Sequence, residues 1–488
     1  MAISFNDVPA ASRVPFAFVE FDNSNAIQGA QTLPYTALLI GQKTSAGTAD
    51  AEVLQRVTNA QQVKNLAGAG SVLAGMAVAW FEQQNTTELY ILPVADDVSG
   101  TDATGTLAFT GTATASGAVN LMIAGQRVRV AVTTGDTAAE VATAVAAAIG
   151  DVADLPVTAA AASGTVTLTA KNAGETGNEI DVRVNYFDGE ETAAGVALTI
   201  TAMSGGANNP DLTNAVAAMG DQWFHIIAMP YTDAANLSLI ENEMSDRWGP
   251  VRQIEGHVFT GASGTLSELG TLGDGRNSPH LSIMPGQNSP TPSYEIAAET
   301  AAICAFYGNI DQARPFQTLP YKHVKVPAAG DEFTQSERNL LLFDGIATWR
   351  VGAGSVAQVE RLVTTYAENA AGGADTSYLD VNTLLTLGYI RWDFRNHILR
   401  KFPRHKLAND GTRIGPGQAV VTPKSAKAEA LVKFRDWELI GLVEDSEQFK
   451  RDIIVERNAS DPNRLDFMLP PNLVNQFRIG AAKIAFIL

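Results

Sequence analysis

The chain has 488 residues, 45% of them hydrophobic and 18% charged, with 34 Lys and Arg against 52 Asp and Glu and a formal net charge of -18. That length exceeds a single core and predicts two to four domains. An acidic body repels nucleic acid, which argues against DNA or RNA as a partner of the whole chain, and Cys304, the single cysteine, excludes an intrachain disulfide.

The charge is unevenly spread. Residues 385–488 carry 17 Lys and Arg against 12 Asp and Glu, whereas the rest holds 17 against 40. A basic last quarter suits an acidic partner or a solvated mixed surface, and charge alone leaves both open. No basic stretch followed by an apolar run opens the chain, so no signal peptide is read. The longest apolar run, Val72–Phe81, is interrupted by Gly75 and too short to cross a bilayer. The expectation is a soluble protein made in a cytoplasm, without membrane insertion.

In chain order, Val14-Pro-Phe-Ala-Phe-Val-Glu-Phe21 reads as an extended apolar arm (Val14, Phe16, Phe18, Phe21), with Pro15 tolerable only at a strand start or edge. Residues 35–94 read as an α/β unit. Tyr35–Ile40 is a buried strand and Asn59–Leu66 a helix stopped by Gly68. Ser71 caps a second helix to Gln84, and Leu89–Leu92 is the next strand. Between Asp96 and Ser204 the composition turns to Ala, Thr and Gly, with 13 acidic residues against 4 basic. Short β-type runs (Gly117–Ile123, Gln126–Val132, Val166–Ala170, Ile180–Tyr186, Val196–Ala202) and one helix, Ala138–Ile149, capped by Thr137, predict a small inserted α+β domain. The α/β pattern resumes with a strand at Trp223–Ala228, a helix at 234–248 and a strand at Glu255–Thr260. Asn277–Ser293, with four prolines, reads as a long loop, followed by helices at 294–307 and 355–369.

The last part opens with a helix at Val381–Phe402, stopped by Pro403. Thr422-Pro423 starts a helix to about Ile440, and Ile453–Arg457 and Leu465–Leu469 form a hairpin. The chain closes on Phe477–Leu488, where Ile484, Phe486 and Leu488 lie two apart and share a strand face, with Ile479 upstream. An unpaired apolar strand invites aggregation, so this run pairs in its own sheet or on another copy. Two apolar extended ends point to a protein that assembles. The domain reading is an N-terminal arm at 1–28, a discontinuous central α/β domain at 29–95 and 205–375, the insert at 96–204, a C-terminal α+β domain at 376–475 and an arm at 476–488.

Chemistry is thin. Gly68-Ala-Gly-Ser-Val72 has Leu73 where a dinucleotide turn needs its third glycine, and it follows a helix. It recurs as Gly352-Ala-Gly-Ser-Val356, and a helix-ending turn with a serine cap accounts for both. His225, His257, His280, His323, His397 and His405 form no metal-binding spacing. A triad of Asp233, His257 and a serine lacks any G-x-S-x-G elbow to locate the nucleophile. Cys304 lies in an apolar helical pattern and reads as a buried thiol. The chain predicts no enzyme, no cofactor and no metal.

Long strings then carry a resemblance: Trp223-Phe-His-Ile-Ile-Ala-Met-Pro-Tyr-Thr-Asp233, Asp246-Arg-Trp-Gly-Pro-Val-Arg252, Asn277-Ser-Pro-His-Leu-Ser282 and Arg464-Leu-Asp-Phe-Met-Leu-Pro-Pro-Asn-Leu-Val-Asn-Gln476. With the pattern of Leu66–Val94, they resemble the contractile tail sheath proteins of Mu-like bacteriophages over most of the chain except the insert. The resemblance implies a hollow helical sleeve of stacked six-subunit rings around a tail tube protein, with baseplate and tail terminator proteins at its ends. It implies contraction that drives the tube through the host envelope for genome ejection. It also implies a virion component assembled in the host cytoplasm, a central α/β domain of subtilisin-like fold without catalysis, and terminal arms that add strands to neighbouring subunits. Contraction would use stored assembly energy, with Gly29 and Gly480 as arm joints. On that basis the basic last quarter is expected to face the tube, through Arg391, Arg395, Arg400 and Lys401, although helical spacing also allows Arg391 and Arg395 to pair internally. The acidic insert is expected to face outward. A headless contractile particle fits the same strings. A hydrolytic or glycan-binding tail component would need a triad or metal cluster, and a static tube or capsid subunit would not carry a bulky insert.

Overall fold

The structure, a computed structural model, describes residues 33–487. The expected N-terminal arm and Leu488 lie outside the described residues. Among the described residues the chain forms two compact units, one of residues 34–392 and 473–487, the other of residues 393–472.

In the first unit, strand β1 (Thr36–Gln42) is followed by a short β2 (Gln55–Val57), helices α1 (Ala60–Ala67) and α2 (Val72–Gln83), and β3 (Glu88–Val94). Asn59 and Ser71 cap the two helices through their side chains, and Gly68 ends α1 at φ 89°, as the turn-and-cap reading of Gly68–Val72 expects. The inserted segment then supplies β4 (Thr104–Gly111), β5 (Gly117–Ile123), β6 (Gln126–Val132), α3 (Ala138–Asp151), β7 (Val157–Ala162), β8 (Thr165–Ala170), β9 (Val182–Val184) and β10 (Val196–Ser204). After α4 (Thr213–Ala218) come β11 (Ile226–Ala228), α5 (Ala234–Trp248), β12 (His257–Ala262), α6 (Leu266–Asp274), β13 (Leu281–Pro285), α7 (Ser293–Ile310), α8 (Gln335–Phe343), β14 (Thr348–Gly352), β15 (Val356–Arg361) and α9 (Val381–Lys401).

The main sheet has the order β13-β12-β11-β1-β3-β2, parallel except for β2. A parallel sheet is buried on both faces, and its strands read as continuous apolar runs. Leu38 and Ile40 of β1 pack with Leu237, Ile240 and Met244 of α5, whereas the opposite face is covered by α2 and α7. Gly75 makes the second layer possible: a Cβ there would lie 2.4 Å from Glu295 Oε1 on α7.

The insert has its own core, from Leu107 and Phe109 through Val119, Leu121, Val145, Ile149 and Leu168. Two antiparallel sheets, β10-β4-β8-β7 and β6-β5-β9, pack with α3. Thr137 and Glu140 form a capping box at the start of α3. The segment is entered and left at one place, because Thr101 N–H donates to Ala207 O at 3.0 Å.

Three expectations are corrected. Residues 355–369 do not form a helix: β15 pairs antiparallel with β14, with Ala357 and Val359 buried and Gln358 and Glu360 more exposed. The spacing of Val356, Val359 and Val363 imitates a helix, but the period-two burial decides for a strand. The second Gly-Ala-Gly-Ser-Val is accordingly the turn of this hairpin, with Gly354 at φ 77° and Ser355 at φ 56°, a backbone that suits glycine. The proline-rich 277–293 region is not all loop, because β13 lies within it, between Pro279 and its own last residue Pro285. Prolines at strand ends remove little of the ladder.

In the second unit, the part of α9 beyond Asp393 is followed by β16 (Lys406–Leu407), β17 (Val420–Val421), α10 (Pro423–Leu439), β18 (Val443–Glu444), α11 (Ser446–Asp452), β19 (Ile454–Arg457) and β20 (Leu465–Met468). Thr422 caps α10, with Pro423 in its first turn, and β19–β20 is the expected antiparallel hairpin. Phe434 stacks on Phe449 at 4.1 Å, and Phe394 packs against Trp437 and Phe467. Asp393, 2% exposed, accepts from Trp437 Nε1 and Lys433 Nζ, both at 2.7 Å, so this buried carboxylate is both paired and hydrogen-bonded.

Replacing the insert by a short linker from residue 100 to residue 208 should leave the main sheet folded, because the two borders are already adjacent. The variant should melt several degrees lower, since polar groups such as Gln42 and Asp96 lose their partners in the insert. Circular dichroism melting checks this, and loss of helix and strand signal beyond the insert's share would contradict it.

Candidate assembly surfaces and a closed crevice

A doubly wound sheet offers a ligand site at the carboxyl ends of the strands where the strand order reverses. Here the chain crosses from β1 to β3 on one side and returns to β11 on the other, so that position lies beside Gln42 and Asp96. It is filled by the insert. Gln42, fully buried, donates to Asp96 Oδ1 and Ala173 O, both at 2.6 Å. Asn172 donates to Asp96 Oδ1 at 2.9 Å and to Lys43 O at 3.0 Å, and its own Oδ1 accepts the Val72 N–H at 3.0 Å. Farther along the same edge, the half-buried Glu179 accepts from Ser263 and Ser293, and Tyr186 donates to Val326 O at 2.7 Å. The crevice that would hold a substrate holds the protein's own amides.

At the other end of the strands, His225, His257 and His280 stand at or just before the first residues of β11, β12 and β13. His225 lies between the rings of Tyr35 and Trp223, each 4.7 Å away, and its Nδ1 accepts the Thr36 N–H at 3.1 Å. His225 is thus a core histidine, 7% exposed. His257 Nε2 lies 2.7 Å from Ser282 Oγ, but Ser282 is fully buried and donates to Val363 O. Asp233 instead caps α5 by accepting the Asn236 N–H. The residues of the hypothetical triad therefore do not converge, and among the described residues no group of His, Cys, Asp and Glu has the arrangement of a metal site. Burial pushes the Cys304 thiol far up, which leaves it a poor nucleophile.

Burial holds His225 and His257 at about 3 and His280 at about 4. His323 behaves oppositely. Burial disfavours its charge, but hydrogen bonds to Glu295 at 2.7 Å and Glu82 at 2.9 Å raise it to about 10.

The assembly candidates are distributed differently. Ile479, Ile484 and Phe486 are 85%, 87% and 77% exposed, and residues 477–487 join no strand among the described residues. Val14, Phe16, Phe18, Phe21 and Leu488 lie outside the described residues. Arg391 is occupied internally: it pairs with Glu255 at 2.9 Å, donates to Trp248 O at 2.6 Å and stacks 4.3 Å from the Trp248 ring centre. That contact set leaves it outside any exposed basic face. Arg395, Arg400 and Lys401 are exposed on α9, with Lys401 3.1 Å from Glu429. The exposed Arg404, Lys406 and Arg413 follow, so residues 395–427 carry eight Lys and Arg against a single Asp410. Helical spacing could not separate Arg391 from the others, because its partners lie more than 130 residues upstream.

Comparison with known proteins agrees along the chain. Residues 98–216 match the phage tail sheath protein beta-sandwich domain, 205–365 the phage tail sheath protein central domain and 374–487 the phage tail sheath C-terminal domain. The Mu-like prophage FluMu tail sheath protein of Haemophilus influenzae is 45% identical over 488 residues, covering all of both chains. Among solved structures, the sheath tail protein of Desulfitobacterium hafniense is 12% identical with a TM-score of 0.46, over 94% of this chain and 100% of that one. The sheath tail protein Lin1278 of Listeria innocua is 13% identical with a TM-score of 0.46, over 92% and 97%.

The pH dependence of stability follows from three buried histidines and the half-buried His323. The unfolded chain takes up protons below about pH 6.5 while His225, His257 and His280 stay neutral when folded. Their contribution is therefore complete above pH 6.5 and falls by about 2 kcal/mol each by pH 5. His323 contributes fully below pH 6.5 and loses its contribution as pH rises toward 10. Melting between pH 5 and 9.5 should show both limbs, with only the alkaline limb flattened by His323→Gln. These buried histidines and the filled crevice are structural features, and by its domain matches and full-length likeness the chain belongs to the phage tail sheath family, whose members are structural proteins rather than enzymes.

Proposed function

We propose that this protein is the subunit of a contractile phage tail sheath, polymerising as stacked six-subunit rings around a tail tube and contracting to drive that tube through the host envelope for genome ejection. The observation that carries the reading is the exposed apolar run at Ile479–Ile487, which joins no strand among the described residues. Burying Ile484 and Phe486 on a neighbour contributes about 1.5–3 kcal/mol each. Ordering the arm costs about 1–2 kcal/mol per residue, so backbone pairing must accompany burial. Strand addition supplies it, and the two-stranded β19–β20 ribbon of a neighbouring copy offers edges for it. A head-to-tail link of this kind, repeated without closing on itself, builds a helix.

The N-terminal run Val14, Phe16, Phe18 and Phe21 would serve as the second arm. The domain reading stands as part of the proposal: arms at 1–28 and 476–488, a central domain at 29–95 and 205–375, the insert at 96–204 facing outward, and 376–475 toward the tube. Exposed Arg395, Arg400 and Lys401 would hold an acidic tube wall by charges that release on contraction. Baseplate and tail terminator proteins would close the ends of the virion's sheath, assembled in the host cytoplasm. A headless contractile particle would use the same parts.

Removing residues 479–488 should leave a folded monomer or small oligomer, read by sedimentation against the full chain, whereas long sheaths from the truncated protein would refute the linking role. Reversing Arg395 and Lys401 together to Glu should weaken co-assembly with the tube several-fold at low salt and less at high salt. Self-association should change little, and equal loss of both would place these residues in sheath contacts.

A further inference from the structure

Asp380 stands just before α9 and accepts from two arginines. Arg361, the last residue of β15, makes a bidentate pair with it, Nε to Oδ1 and Nη2 to Oδ2, both at 3.0 Å. Arg478, 98 residues downstream, donates Nη2 to Oδ1 at 2.9 Å. The same guanidinium reaches Asn382 Oδ1 at 3.5 Å and contacts Gln476. Asn382 is itself fully buried and held by the carbonyls of Gln312 and Arg314. One residue earlier, Gln317 Nε2 donates to Phe477 O at 3.3 Å. The Arg478 side chain is only 14% exposed, whereas Ile479 beside it is 85% exposed. The transition from held to free chain therefore occurs across a single peptide bond. Gly480 follows, where a Cβ would come within 3.2 Å of the Phe477 ring.

We infer that Asp380 and Arg478 form a clasp that fixes the root of the C-terminal arm, so that only residues from Ile479 onward are free to reach a neighbouring copy. This rests on the reading of that run as a linking arm and adds where the arm begins. The charge arrangement suits a clasp. Asp380 is anchored by Arg361 whether or not the tail is present, so its second lone-pair direction is already aimed when Arg478 arrives. A fixed root shortens the mobile linker and raises the effective concentration of the arm at its acceptor. From Ile479 to Ile487 the extended reach is about 30 Å. Releasing the clasp adds slack back to about Leu473. Arg478 and Asp380 are positioning residues: they aim the arm and do not themselves join subunits.

Trypsin tests the clasp directly, because its specificity pocket must take the arginine side chain away from Asp380. In the unassembled full-length chain, cleavage after Lys483 should be at least about tenfold faster than cleavage after Arg478, since local release must precede the second cut. Asp380→Asn should bring the two rates close together. Equal rates in the unsubstituted protein would overturn the inference. For assembly, Arg478→Gln should raise the concentration needed for polymerisation about two- to fivefold, as a longer flexible linker dictates, and Arg478→Lys should restore most of it. Normal assembly of Arg478→Gln, while removal of residues 479–488 abolishes polymer, would sink the clasp and spare the linking arm. Polymer formed by the truncated chain would remove the linking arm, and the proteolysis result would still decide the clasp.

Discussion

A buried polar group must find a partner, and the main sheet depends on how that demand is met at the ends of β1 and β3. Gln42 and Asp96 are placed where an α/β fold normally opens to a ligand, and both are satisfied by Asn172 and Ala173 from the insert. The arrangement ties two cores together at the place where a catalytic protein would need access. Lys64 with Asp154, and Glu179 with Ser263 and Ser293, extend the same seam. An α/β frame used this way becomes a beam: what would be an active-site cleft is spent on rigidity.

The same economy governs the charges. Ion pairs with little exposure, such as Lys433 with Asp393 and Arg391 with Glu255, fasten elements within a unit. The cations from Arg395 to Lys424 sit in exposed positions with one acidic neighbour, Asp410, in sequence. Burial separates fastening charges from presenting ones, and net charge does not.

That distinction explains what could be read from the residues alone. Helices with local signals were legible, because Ser71, Thr137 and Thr422 announce their own caps. Strands β5 and β6 were legible from their apolar runs. Strand β15 reads as a helix because its apolar spacing satisfies two periods at once, and β13 is hidden between prolines. Strand β7 carries a weak signal, with Ala where a β pattern has larger side chains, and in β4 only Leu107 and Phe109 stand out among Thr and Gly. The apolar tail was plain from composition, but the links that define the sites were not. Asn172 and Asp96 are 76 positions apart, and Arg478 and Asp380 are 98 apart. No local rule pairs residues at such distances.

One further property follows from α7, whose residues are buried on nearly every side between α2 and the sheet. Cys304 lies at 0% exposure within it and is the only thiol in the sequence. A thiol so enclosed meets an alkylating reagent only when the helical layer lifts from the sheet. The chain thus carries a native single-site label for that event. If subunits of a working particle move as rigid bodies, this cysteine stays silent throughout the stroke. If they deform, it is the first atom to record it.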